Sequence, residues 1–435
     1  MKVEKAVEHS IENVLKEGLT DIFHRPFEVD LLGNKEFRKK IFESTLKSIK
    51  GNSFESLGVS RISHVLMPKN SAFDFRRCAL MHPLDTIKYL ALVLLMAETI
   101  EKSRIPLSEK RVYSYRYKIN NGYIFNKNYT ITTFINRARE KAKQRGVKFI
   151  VSCDIANFYD RLNLHRLENI LLSIGCDRTK VSVLNELLLF WSNRDSYGLP
   201  VGSNASRILA EASLIGVDLY LRDMNVDFIR FVDDYRLFAP DANTAHYWLT
   251  LLIERLWQEG LTINKSKTKI EASTEYKKRE DKLKSSTENK KVGKVTNPFR
   301  IQAGYGGTVP TKFRNLSSKE AENLREVNLE EKIKDIALKE FIEAEQIIEI
   351  VKIIVSTEQY SKLINVARAL DKYPQLTPYV VDALIKHSHY IDENSKLHIK
   401  EYFREKVQHN KYIPEYIILE IIRFFGHSDF SEKSI

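Results

Sequence analysis

Apolar and polar positions follow helical spacing over much of this chain and give way to short β-like runs in its middle. Residues 1–50 predict helices, with a break at Arg25-Pro26. A long helical pattern starts near Pro83 and holds the longest apolar run, Tyr89 to Met96; a polar link over Ile100 to Lys110 follows. Thr130 to Arg145 predicts a helix with Ile131, Phe134, Ile135 and Ala138 on one side. The short, β-rich run Val147 to Val151 predicts a buried strand, and Asp154 ends it. Helices are predicted over Leu164 to Ile174 and Val181 to Trp191, and a third, Ala205 to Leu221, opens from the loop Gly198 to Gly202. In VDFIRFVDDYRLFA two apolar runs flank a polar pair, the mark of a hairpin. A helix from Asn243 to Glu259 stops at Gly260, and GLTINKSKTKI returns as a short strand. Tyr276 to Lys294 is rich in Lys, Glu and Ser and predicts a mobile, basic surface segment. From about Ser317 short helices follow one another, with breaks near Pro374, Pro378, Asp392-Glu393-Asn394, Pro414 and Gly426. No motif repeats, yet helices of similar length joined by short turns are what a helical repeat array produces.

A chain of 435 residues has room for two or three domains. No apolar stretch of about eighteen residues occurs, so no membrane span is predicted. The opening MKVEKAVEHS lacks the apolar core of a signal peptide, and a cytoplasmic location is expected. The cysteines Cys78, Cys153 and Cys176 suggest neither a disulfide framework nor a zinc site. The net charge of +12 fits a polyanionic partner, and its distribution says more. From Lys319 onward roughly 17 Lys and Arg face 21 Asp and Glu, so the basic charge lies in the first three quarters.

Asp154 stands at the end of an apolar strand, a poor place for a charge, and Asp233-Asp234 stands at the expected hairpin tip. Taken alone, an Asp-Asp pair reads as a solvated turn. If the hairpin lies beside the strand, the three carboxylates converge. Nucleotide polymerisation needs such a group, because it is an in-line phosphoryl transfer served by two divalent ions with oxygen ligands.

The neighbouring motifs carry a resemblance. DIANFY at Asp154 to Tyr159 is similar to polymerase motif A. GLPVG running into SNASRILAEA is similar to motif B, FVDD at Phe231 to Asp234 to the motif C of reverse transcriptases, and GLTINKSKTKI to the motif D region. Upstream, Pro68-Lys69, Arg76 and Asp85 through Ala91-Leu92 resemble the fingers pattern of bacterial reverse transcriptases. The match runs in the expected order from about Pro68 to Ile270. It implies an α+β chain: right-hand polymerase fingers and palm, an antiparallel sheet with helices, then an all-α helical-repeat domain in place of a thumb. The expected divisions are 1–145 for N-terminal helices and fingers, 146–275 for the palm, 276–316 for a basic linker and 317–435 for the C-terminal domain.

The resemblance also implies roles. Asp154 and Asp233 hold two Mg2+ ions, with Mn2+ as an alternative, and Asp234 supports them or meets the primer end. Tyr159 blocks the 2′-hydroxyl of the incoming nucleotide; its bland alternative is a core aromatic beside Phe158. Lys69 and Arg76 meet the triphosphate, or are ordinary surface basics. Lys267 approaches the leaving pyrophosphate, or is simply solvated. Ile155 and Gly202 border the dNTP, and Gly198, Leu199, Pro200, Val201 and Gly202 form the motif B loop, which otherwise is a plain helix entry. Two departures stand out: Val201 replaces a common Gln, and Phe231 a common Tyr. With no recognisable thumb, the chain resembles the abortive-infection and "unknown group" reverse transcriptases of bacterial antiphage defence. That group implies homo-oligomers, a DNA product, and synthesis primed on a protein hydroxyl or copied from a partner non-coding RNA, with no membrane partner. The competing expectations are a templated retron- or intron-like enzyme, an RNA-dependent RNA polymerase, and a non-catalytic nucleic-acid-binding scaffold that has kept its carboxylates.

Overall fold

Helix and sheet are mixed in this chain. The computed structural model describes residues 1–19, 27–68, 74–193, 195–288, 328–338, 346–347, 350–351, 353–354, 357, 359–409 and 412–431. The expected break at Arg25-Pro26 and the candidate Lys69 lie outside them. Two units emerge: 1–63 with 79–284, and 64–78 with 285–435.

The described strands form three sheets. β1 (Ser63–Pro68) pairs with β2 (Phe75–Leu80), and β3 (Tyr117–Asn120) with β4 (Tyr123–Phe125). The third sheet is antiparallel and four-stranded, built from β5 (Phe149–Asp154), β6 (Phe228–Phe231), β7 (Asp234–Ala239) and β8 (Lys269–Ala272) in the order β6-β7-β5-β8. β5 occupies an inner position because Ile150, Val151 and Cys153 are apolar on both faces and all are buried. The helix Ile131–Ala142 packs Phe134, Ala138 and Ala142 against Ile150, Ile229 and Phe238 of the sheet. Its Thr130 forms a capping box with Thr133. Ile131, expected on the buried side, is exposed, because it lies in the first turn, ahead of the sheet contact.

The long helix Pro83–Ser103 is buried over most of its length, as its apolar run predicts, and packs on the helices Val3–Glu17, Lys35–Lys50 and Asn204–Ser213. The single helix expected over Ala205 to Leu221 is two, Asn204–Ser213 and Ile215–Asp223, meeting at Leu214. Gly216 follows the break; a Cβ there would stand 2.7 Å from Arg255 Nη2, the mobile end of a side chain on the helix Ala242–Gln258, which would have to shift to admit it. Gly260, at φ 76°, ends that latter helix as expected. The start of the segment expected to be mobile is the helix Ser273–Glu288, anchored by the buried Tyr276 and by Glu280, which accepts from Arg139 Nε at 2.9 Å.

In the second unit the described elements beyond the β1–β2 pair are helical. The break expected near Pro378 falls just before it, between the turn Pro374–Leu376 and the helix Thr377–Lys386, and Pro378 sits in that helix's first turn, where its missing N–H costs nothing. In Glu415–Gly426 Tyr416, Ile417 and Ile421 are buried, whereas Ile418 and Ile422 are exposed. A helix covers one stripe of its surface, and five apolar residues exceed its width. No helix among the described residues is long and apolar enough to cross a membrane.

Candidate active site

β5 and β7 pair in a register that runs from Phe149 opposite Ala239 to Asp154 opposite Asp234. Side chains alternate between faces along a strand, so Asp154 and Asp234 are direct cross-strand neighbours on one face. Like charges placed opposite each other destabilise a sheet. Packing gives no reason for such a pair.

Asp233 reaches the same place from the turn. Phe231 pairs with Asp234, which leaves Val232 and Asp233 as the two turn residues. The hairpin tip is therefore Val232-Asp233 rather than Asp233-Asp234; Asp234 is the first residue of β7. The Asp233 carbonyl accepts from the Ile155 N–H at 3.0 Å, and the Asp154 carbonyl from the Asn264 N–H at 2.7 Å. Ile155 also bridges to Ile263. The three segments bearing motifs A, C and D are thus tied by backbone hydrogen bonds.

The electrostatics follow from this crowding. Burial first, then the Asp154 charge and that of Asp234, push the Asp233 carboxyl up to about 7, against the pull of Lys267. Burial also raises Asp234, opposed by Arg236, which forms an ion pair with it. Lys267 Nζ lies 3.3 Å from Asp154 Oδ2 while its side chain stays 65% exposed.

The residues fit a divalent ion. Among the described residues no group of three or more His, Cys, Asp and Glu is placed to hold a metal ion by itself. Magnesium asks for less, since it usually takes one or two carboxylates and completes its shell with water and substrate phosphates. Burial lifts Asp233 first and the charges of Asp154 and Asp234 add to it; a bound cation offsets the cost of holding these carboxylates ionised.

Tyr159 sits on the short helix Phe158–Arg161, only 8% exposed, with its ring 5.6 Å from that of Phe158. Burial pushes its phenol well up, with Tyr115 adding to the shift, and Asp233 is among the charges that reach it. Its carbonyl accepts from the Leu199 N–H at 3.0 Å, so motif A and the motif B loop are joined. Gly198 and Gly202 both adopt positive φ, at 98° and 117°, which explains two glycines in five residues. Leu199 and Val201 are buried, Pro200 lies between them in the same loop, and Ser203 caps the helix that follows. Arg76 lies half-buried on β2, in the second unit.

Residues 100–294 match the family described as reverse transcriptase (RNA-dependent DNA polymerase). The chain carries a reverse transcriptase domain. Its activity class is that of an RNA-directed DNA polymerase. No curated protein matches the chain. Among solved structures it is similar to telomerase from Candida albicans in complex with a TWJ fragment of telomeric RNA, at 13% identity and a TM-score of 0.36 over 89% of this chain and 70% of that one. Apo telomerase from Candida tropicalis is similar at 11% identity and a TM-score of 0.33, over 96% and 86%.

Sequence reasoning missed the layer beneath the carboxylates of this reverse transcriptase domain. Arg230 of β6 is fully buried, and its guanidinium meets Asp218 at 2.5 Å and Glu211 at 3.0 Å. Glu211 also meets Arg104 at 2.5 Å and accepts from Ser114 Oγ at 2.5 Å. Burial alone would push the Glu211 carboxyl up, but Arg230 and Arg104 outweigh it and hold it below the usual range. A signal existed: Arg230, Asp218 and Glu211 each interrupt an apolar run.

Proposed function

We propose that this chain synthesises DNA from dNTPs at the carboxylates Asp154, Asp233 and Asp234. The observation that carries the reading is the direct opposition of Asp154 and Asp234 on one sheet face, with Asp233 in the adjoining turn. Two Mg2+ ions, or Mn2+ in their place, would be held by Asp154 and Asp233; when bound, such ions polarise the attacking hydroxyl and neutralise the leaving pyrophosphate. Asp234, paired with Arg236, supports them. Lys267, beside Asp154, is positioned to take up negative charge on the departing phosphates. Tyr159 closes the sugar side of the nucleotide, Ile155 and Gly202 border it, and Lys69 and Arg76 meet its triphosphate. In this reading residues 1–145 supply N-terminal helices and fingers, 146–275 the palm, 276–316 a linker, and 317–435 a helical domain that takes the place of a thumb in the chain order.

The finer reading is a cytoplasmic antiphage enzyme that works as a homo-oligomer. It begins DNA on one of its own hydroxyls, or copies a partner non-coding RNA. Exposed Ile418 and Ile422, one turn apart on the helix Glu415–Gly426, support self-association. Incubation with labelled dNTPs and Mg2+, with and without added template, tests the activity. Asp154→Asn and the pair Asp233→Asn with Asp234→Asn abolish incorporation while circular dichroism stays unchanged; undiminished incorporation by these folded variants refutes the site. Full denaturation followed by electrophoresis, before and after protease, tests priming: product that migrates freely without protease was not started on the protein.

A further inference from the structure

Val232 is the residue on which the turn depends. Its φ of 56° lies in the left-handed region, where a β-branched side chain is strained. Such a conformation persists only where its surroundings over-determine it, and a strained residue directly before Asp233 sets the direction of that carboxylate. The restraint is visible. Arg230 Nη1 donates to the Val232 carbonyl at 2.8 Å, two residues along the chain.

The guanidinium is itself immobilised. Its Nε donates to Asp218 Oδ1 at 2.9 Å, and Nη2 donates to Asp218 Oδ2 at 2.5 Å and to Glu211 Oε2 at 3.0 Å. Asp218 takes a further hydrogen bond from the Tyr235 hydroxyl at 3.1 Å. Glu211 and Asp218 come from the two helices that meet at Leu214, so the break in that helix lets both carboxylates address one arginine. A buried ionic group of this kind is weak evidence for stability, because desolvation offsets most of the attraction. What it supplies is a fixed planar fork.

We infer that Arg230 is a positioning residue for catalysis: held by Asp218 and Glu211, it clamps the Val232 carbonyl, keeps the turn left-handed and so aims Asp233 at the metal-binding face. The inference rests on the proposed metal role of Asp233. Groups that orient a metal ligand typically matter by a factor of about 10–100 in metal affinity or activity.

Arg230→Lys keeps the charge that Asp218 and Glu211 require but loses the fork. The test measures Mn2+ binding to the full chain by electron paramagnetic resonance, beside kcat and the dNTP KM, for wild type, Asp233→Asn, Arg230→Lys, and Arg230→Lys with Val232→Gly. Arg230→Lys is expected to lower kcat and weaken Mn2+ binding, each by about 10-fold or more, with the KM little changed. Glycine takes positive φ without strain, so the double variant is expected to recover part of both losses. A role confined to stability predicts no recovery.

If wild type binds Mn2+ and Asp233→Asn does not, yet Arg230→Lys matches wild type, the positioning role is wrong and the metal site stands. If wild type and Asp233→Asn bind alike, the metal reading fails and takes this inference with it. Loss in Arg230→Lys without recovery on adding Val232→Gly also overturns it. Should Arg230→Lys not fold, Val232→Pro serves with Arg230 intact, because proline forbids a positive φ. It is expected to lose Mn2+ binding, and retained binding overturns the inference.

Discussion

Asp233→Asn should stabilise the metal-free protein, and the gain should depend on pH. In the fold the Asp233 carboxyl is pushed from 3.8 up to about 7 by burial and by Asp154 and Asp234. A carboxyl with a raised folded-state value binds its proton more tightly in the native state. Its contribution to stability is therefore present below about pH 4 and is lost as the pH rises through about 7. At pH 8 the native state holds an ion that it would rather hold neutral. The full shift corresponds to about 4 kcal/mol at about 1.4 kcal/mol per unit, and the partial exposure of the turn reduces this to about 1–3 kcal/mol. For a domain of this size that is a rise of roughly 2–10 °C in Tm. The assay is thermal unfolding of wild type and Asp233→Asn in EDTA at pH 8 and pH 5. The variant should melt higher at pH 8, and the difference should shrink at pH 5. Added Mn2+ should raise the wild-type Tm and leave the variant unmoved. A folded variant that melts at or below wild type at pH 8 would show that burial and the neighbouring carboxylates do not penalise the Asp233 charge as its placement requires.

Tyr159→Ala should raise the ratio of kcat/KM for rNTP over dNTP by roughly 10-fold or more, since a lost steric block acts on discrimination; an unchanged ratio returns Tyr159 to a core aromatic beside Phe158. Glu211→Ala removes the carboxylate that Arg104 and Arg230 share, leaving Arg230 to Asp218 and Arg104 to Glu101, and should destabilise by about 1–3 kcal/mol in a denaturant titration, with Glu211→Gln milder. Light scattering of the full chain should give a mass above that of one 50.7 kDa copy, and Ile418→Asp with Ile422→Asp should return it to a monomer.

The sequence by itself determined the pieces. An apolar strand ending on Asp154, a hairpin around Asp233-Asp234, and helices bounded by Pro83, Gly260 and Gly426 were legible because period, breakers and caps are local properties. The glycines of the motif B loop were legible as a loop, and their positive φ values give the reason. Tertiary structure alone decided how the pieces meet. Asp154 faces Asp234 because β5 inserts between β7 and β8, strands that follow it by some eighty residues or more, and a one-residue slip would turn Asp154 to the other face. No local pattern encodes that register. The tip of the hairpin moved by one residue for the same reason: Phe231 pairs with Asp234 across the turn. The burial of Tyr159, joined to Leu199 some forty residues on, depends on a neighbour distant in sequence. So does the network beneath the site. Arg230, Glu211 and Asp218 looked like isolated interruptions of apolar runs, and become one ionic cluster only when two helices and a strand are packed together.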